Sequence, residues 1–176
     1  TKLDEYMLNV PESYDFEDKE VVLETKTQLE LECLVNGEVM PIEDASDSMF
    51  AHKLMGDGIM IRPCDGVVVA PCDGVISMIY PTKHAMGITI DDNTQILIHF
   101  GTDSAKLNGK GFELLVKPNQ KIKAGDILWN ADLKFIKENA LDENIIVVFT
   151  KIKDGAELEK KYGKMQCHDM MLRVKG

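Results

Sequence analysis

Apolar residues along the chain come in short β-branched runs broken by Gly and Pro, rather than in long stripes at helical spacing. The clearest runs are Gly66–Ala70, Gly74–Tyr80, Gly87–Ile90, Gln95–Phe100 and Ile145–Phe149. Short strands between turn signals predict an all-β fold, an antiparallel β-sandwich or flattened barrel. The spacing predicts one helix over Ala131–Ala140, with Leu133, Ile136 and Ala140 on one stripe, and a weaker one over Gly155–Lys161. The unit Pro63-Cys-Asp-Gly-Val-Val68 recurs as Pro71-Cys-Asp-Gly-Val-Ile76, two successive turn-then-strand pieces. Residues 1–28 are acidic and polar without alternation and read as a tail or interdomain linker; the organised domain spans 29–176.

The most informative stretch runs from Tyr80 to Gly101. Two strand-like runs flank Asp91-Asp92-Asn93-Thr94, which reads as a hairpin turn. An even-numbered loop pairs Ile90 with Gln95, Met86 with His99 and His84 with Gly101. His84 and His99 then share a face as diagonal neighbours, about 7–8 Å apart at the backbone. Met86, Ile88 and Leu97 are expected around them. An odd shift of register would put the two histidines on opposite faces.

Composition narrows what such a pair does. The chain has 176 residues, 44% of them apolar, enough for one domain with a real core. Thirty acidic residues against twenty basic ones give a net charge of −10, which argues against a nucleic-acid partner and suits a partner offering Arg or Lys. No apolar run reaches membrane-spanning length and no basic-then-apolar leader opens the chain, so it reads as a cytoplasmic protein without a transmembrane segment. Cys33, Cys64, Cys72 and Cys167 lack the spacing of zinc or redox sites and read as small buried thiols.

Two imidazoles on an apolar face can bind a metal, act as acid and base, or carry a covalent group. No His-x-His or His-Glu-x-x-His occurs, and His52 and His168 sit in no ligand pattern, so neither metal nor cofactor is expected. No Gly-rich phosphate loop occurs either, which disfavours a nucleotide-using kinase. Covalent phosphoryl carriage fits better. A neutral imidazole is nucleophilic without prior deprotonation, a second histidine and the Thr82 hydroxyl can hydrogen-bond phosphoryl oxygens, and apolar walls keep out water.

The run from Glu43 to Pro63, Val69-Ala-Pro-Cys-Asp-Gly74, Thr82-Lys-His-Ala85, Ile98-His-Phe-Gly101, Leu107-Asn-Gly-Lys-Gly-Phe112 and Lys123-Ala-Gly-Asp126 occur in order. Together they resemble the glucose-type enzyme IIA domain of the bacterial phosphoenolpyruvate-dependent sugar phosphotransferase system, from about Leu29 onward. The resemblance implies a β-sandwich built on a duplicated hybrid motif. It implies a phosphohistidine carrier that accepts a phosphoryl group from phospho-HPr on His99 Nε2. The group would then pass to a cysteine of a IIB domain during sugar uptake. His84 would support the phosphoryl group and Thr82 would tune the pair. A backbone carbonyl near Gly101 would hold His99 Nδ1–H. The implied docking disc comprises Met49, Phe50, Leu54, Met55, Tyr80, Leu97 and Ala105, with Asp47 and Asp103 as acidic rim. Such a carrier works in the cytoplasm, or at the membrane through its permease. No cysteine of this chain sits in a IIB acceptor context. The alternatives are a zinc hydrolase of similar β architecture and a regulatory binding module that carries no phosphate.

Overall fold

The computed structural model describes residues 28–176; the tail expected over 1–28 lies, except for Gln28, outside the described residues. The strands are β1 Leu29–Glu32, β2 Gly37–Pro41, β3 Gly58–Pro63, β4 Val67–Val69, β5 Gly74–Ile79, β6 Ala85–Asp91 and β7 Thr94–Thr102. They continue as β8 Phe112–Leu114, β9 Lys121–Ile122, β10 Ile127–Ala131, β11 Asp142–Lys151, β12 Glu157–Lys160, β13 Gly163–Met165 and β14 Met170–Lys175. Two short helices join them: α1, Ser48–Ala51, and α2, Leu133–Asn139. A 3-10 turn, Ile42–Asp44, precedes α1.

The strands form an eight-stranded sheet in the order β13-β2-β3-β11-β7-β6-β5-β9 and two three-stranded sheets, β1-β14-β12 and β4-β10-β8. This is the expected antiparallel β-sandwich. The repeated Asp-Gly units deliver β4 and β5, one to each of two sheets. The helix predicted over Ala131–Ala140 is α2, opened by Asp132, whose Oδ1 accepts the Phe135 backbone N–H at 3.1 Å. The one predicted over Gly155–Lys161 is a strand instead. Gly155 takes a positive φ of 81° and turns the chain, after which Glu157–Lys160 pair with β14. A segment that short has no decisive period of its own, so sheet pairing decides it.

One core joins all three sheets. It packs Leu31 and Leu172 from the first small sheet, Val68, Trp129 and Phe112 from the second, and Ile59, Ile98, Phe100 and Val147 from the large one. Phe100 meets Phe112 and Trp129 edge-on, with ring centroids 5.5 and 5.7 Å apart. Alternate residues of the same strands point the other way. Met60, Ala85, Leu97, Ile146 and Val148 form a second cluster on the outer face of the large sheet, with Ile42 and Phe50 laid over it. Both faces of β3, β7 and β11 are therefore buried, which explains why those segments read as nearly unbroken apolar runs.

Of the four cysteines, Cys33 and Cys72 are buried as expected, whereas Cys64 is exposed and Cys167 half-buried. Burial pushes the Cys72 thiol up to about 12 and raises Cys33 and Cys167 as well, so none of these three is an activated thiolate.

Candidate active site

His99 lies on β7 between Ile98 and Phe100, both of which point into the main core. Alternation therefore turns His99 to the outer face, beside Leu97 and opposite Ile146 of β11. The ring stands over the second cluster. Phe50 of α1 packs against it with centroids 5.0 Å apart, and the His84 ring meets it nearly perpendicularly at 4.8 Å. Tyr80 closes the far side, edge-on to His84 at 5.3 Å.

The histidines meet, but not by the expected register. The turn is the two-residue Asp92-Asn93, with Asp91 opposite Thr94. A bulge between Thr89 and Asp91 then moves the pairing by one residue. Ala85, not Met86, faces His99, and Thr89, not Ile90, faces Gln95. Met86 and Ile88 accordingly point into the main core; of the three apolar neighbours expected beside the histidines only Leu97 is there. Strict alternation would also send His84 inward. It escapes because it precedes β6, in a turn where Lys83 has a left-handed φ of 62° and breaks the strand geometry.

That turn is fastened from several sides. Lys83 N–H donates to the Tyr80 carbonyl at 2.8 Å, Phe100 N–H to the His84 carbonyl at 2.7 Å, and the fully buried Trp129 indole N–H to the Lys83 carbonyl at 2.8 Å. The main core thus fixes the loop that presents His84. Thr82 Oγ1 and His84 Nδ1 are 2.6 Å apart, a hydrogen bond whose direction follows the tautomer.

Both imidazoles are held neutral. His84 is only 4% exposed, and burial together with the neighbouring His99 pushes its pKa down to about 4. Burial also lowers His99, against upward pulls from Asp47, the Gly101 backbone and Asp142. His99 Nδ1 is buried without a hydrogen bond of good geometry. The Gly101 carbonyl lies toward it; the Ser104 hydroxyl donates to the Phe100 carbonyl at 2.7 Å, with the Gly101 carbonyl a longer second acceptor at 3.2 Å. With Nδ1 facing inward, Nε2 is the ring nitrogen of this half-buried side chain that turns to the surface.

The remaining sequence-predicted residues differ in how far they are covered. Met55 and Tyr80 are half-buried against the outer cluster, and Phe50 and Leu97 are nearly closed off within it. Met49, 48% exposed, and Leu54, 71% exposed, stand free on the surface, as does Ala105. Asp47 caps α1, its Oδ1 accepting the Met49 N–H at 2.9 Å. Asp103 is exposed, with a φ of 56°, and pairs with Lys106 at 3.0 Å. Sequence reasoning missed α1 itself, although Asp47 is a good helix-capping residue. It also missed Ser104 and Asp142, which come near His99 through a tight turn and through pairing with a distant strand; no local pattern marks them.

Among the described residues no group of three or more His, Cys, Asp or Glu side chains is placed to hold a metal ion. Among the same residues no helix is long and apolar enough to cross a membrane.

Residues 29–155 match the family described as phosphoenolpyruvate-dependent sugar phosphotransferase system, EIIA 1. The structure is similar to that of glucose permease IIA from Mycoplasma capricolum, with a TM-score of 0.81 and 30% sequence identity, over 85% of this chain and 97% of that one.

Proposed function

The chain belongs to the EIIA 1 family, the glucose-permease IIA kind of phosphocarrier in the sugar phosphotransferase system, and from that premise we propose that His99 Nε2 carries the phosphoryl group. The observation that carries this reading is the edge-to-face pair of neutral imidazoles, His84 on His99, set in an apolar disc with His99 Nδ1 turned inward. A phosphotransferase role and partnership with HPr and a IIB domain go with the family; the residues that perform each step are read from the site.

A neutral His99 needs no base. Its Nε2 lone pair attacks the phosphorus of phospho-HPr in line as the donor's N–P bond breaks, and the transfer is mainly a matter of alignment and charge stabilisation. His84 Nε2–H donates to a phosphoryl oxygen, and the Thr82 hydroxyl fixes the His84 tautomer by occupying Nδ1. The Gly101 backbone steadies the inner nitrogen. A cysteine thiolate of the IIB domain then attacks the same phosphorus and the His99 N–P bond breaks. Met49, Phe50, Leu54, Met55, Tyr80, Leu97 and Ala105 form the docking disc, and Asp47 and Asp103 meet basic residues of the partners. The exchange takes place in the cytoplasm, during sugar uptake. Nothing in the fold or the comparisons supports the zinc-hydrolase or unphosphorylated-module alternatives.

Incubation with phosphoenolpyruvate, enzyme I and HPr is expected to give an acid-labile phosphate on the chain. His99→Ala is expected to abolish it while the protein stays folded, because His99 packs on the outer cluster and not in the main core. Labelling that survives in that variant overturns the assignment.

A further inference from the structure

Asp142, the first residue of β11, touches both segments that frame His99. The sheet pairs it with Thr102 of β7, three positions beyond His99. Its Oδ1 accepts the Thr102 hydroxyl at 2.7 Å and the Asn144 backbone N–H at 3.0 Å. Its Oδ2 accepts the Ser46 hydroxyl at 3.0 Å. Ser46 precedes Asp47, the cap of α1, and α1 carries the Phe50 ring that leans on His99 at 5.0 Å. A single carboxylate therefore joins the end of the carrier strand to the loop that lays Phe50 over the ring. A four-residue helix is too short to be stable by itself, so α1 depends on its surroundings. The buried Phe50 seats it on the outer cluster, Lys53 pairs with Glu43 at 2.9 Å, and the Ser46–Asp142 bond ties its N-terminal side to β11.

We propose that Asp142 is a positioning residue of the phosphoryl relay, tying the Ser46 loop to β7 so that Phe50 and His99 hold one relative orientation. The proposal rests on His99 being the carrier. It is separate from the rim role given to Asp47 and Asp103, because both Asp142 oxygens are occupied within the protein. The same carboxylate contributes to the field at His99: Asp142 from β11 and Asp47 from the α1 cap both favour its protonated form, while desolvation opposes it and the neutral His84 adds no charge. Asp142 thus acts on both the orientation and the basicity of the ring.

Two variants test this. Ser46→Ala removes one leg of the tether and leaves the charge. Asp142→Asn keeps the size and an oxygen acceptor but removes the charge. Histidine ring resonances, followed by NMR through a pH titration without any phosphoryl donor, report His99 directly. Ser46→Ala is expected to move the His99 ring resonances, through the displaced Phe50 ring, and to lower kcat for accepting phosphate from phospho-HPr about tenfold with KM little changed; small misplacements have that reach. Asp142→Asn is expected to lower the His99 titration midpoint below that of the parent chain. The proposal is overturned if both variants keep the parent resonances and midpoint, or if kcat falls only in step with the folded fraction seen in a thermal melt. Because the NMR readout needs no phosphate transfer, an error in the choice of carrier would leave it intact. An error about Asp142 would not.

Discussion

The two faces of the eight-stranded sheet are built from alternate residues of the same strands and do different work. On β7, Ile96, Ile98 and Phe100 point inward, while Leu97 and His99 point outward. On β11, Ile145, Val147 and Phe149 oppose Ile146 and Val148 in the same way. The inner face is roofed by the two smaller sheets, with Trp129 and Phe100 fully enclosed. Among the described residues the outer face is covered by a 3-10 turn, a four-residue helix and half-buried side chains such as Met55 and Tyr80. The first arrangement leaves no room for change. The second leaves an apolar floor closed by a thin cover, where imidazoles lose most of their water and where we propose that a partner docks. Most of the enclosed core lies on one side and the proposed chemistry on the other.

Adjacent residues of β7 offer the sharpest way to break that contrast. Ile98→Ala, at a fully enclosed position, is expected to cost about 3–4 kcal/mol of unfolding free energy in urea titrations. Leu97→Ala, 6% exposed on the outer face, is expected to cost about 2 kcal/mol, since a lightly held cover can settle into the space. Equal losses would mean that the two faces are equally rigid. The next effect is chemical. His84→Gln is expected to accept phosphate on His99 but to pass it on about 100-fold more slowly, the scale of losing one well-aimed donor. Onward transfer at the parent rate would remove His84 from the relay.

The smallest effect is one of pH. Burial holds His84 near 4, against 6.5 for the free side chain, and lowers His99 too. Between those values the unfolded chain binds protons that the native site refuses, so stability is full above about pH 6.5 and is lost as pH falls toward 4. His84→Gln is expected to flatten that slope when urea midpoints are compared at pH 7 and pH 5. Parallel declines in the two proteins would place the sensitivity elsewhere than in His84.

Much of this was legible along the chain. The runs around Val68, Ile76, Ile88, Ile98 and Val147 became strands because alternation and flanking Gly, Pro and Asp are local signals. The helix from Leu133 was legible for the same reason, with a cap at Asp132. The hairpin pattern points to the His84–His99 neighbourhood, but through a register one residue away from the real one. The bulge near Ile90 and the left-handed Lys83 each undo one step of simple alternation, and together they restore the contact. Neither has a signature in an isolated stretch of residues. The strand at Glu157 reads as helix from sequence alone because four residues carry too little periodicity to outweigh a partner strand.

By itself, then, the sequence determined the class of fold, the hairpin that carries both histidines, and the motifs that resemble a phosphocarrier, since these depend on residues close together in the chain. Tertiary structure decided which apolar residues look inward and which underlie the imidazoles. It also decided that Trp129 anchors the His84 turn and that Asp142 reaches the end of β7. Those contacts join residues about forty positions apart or more, and the partners are brought together only when sheets pack and strands find their register.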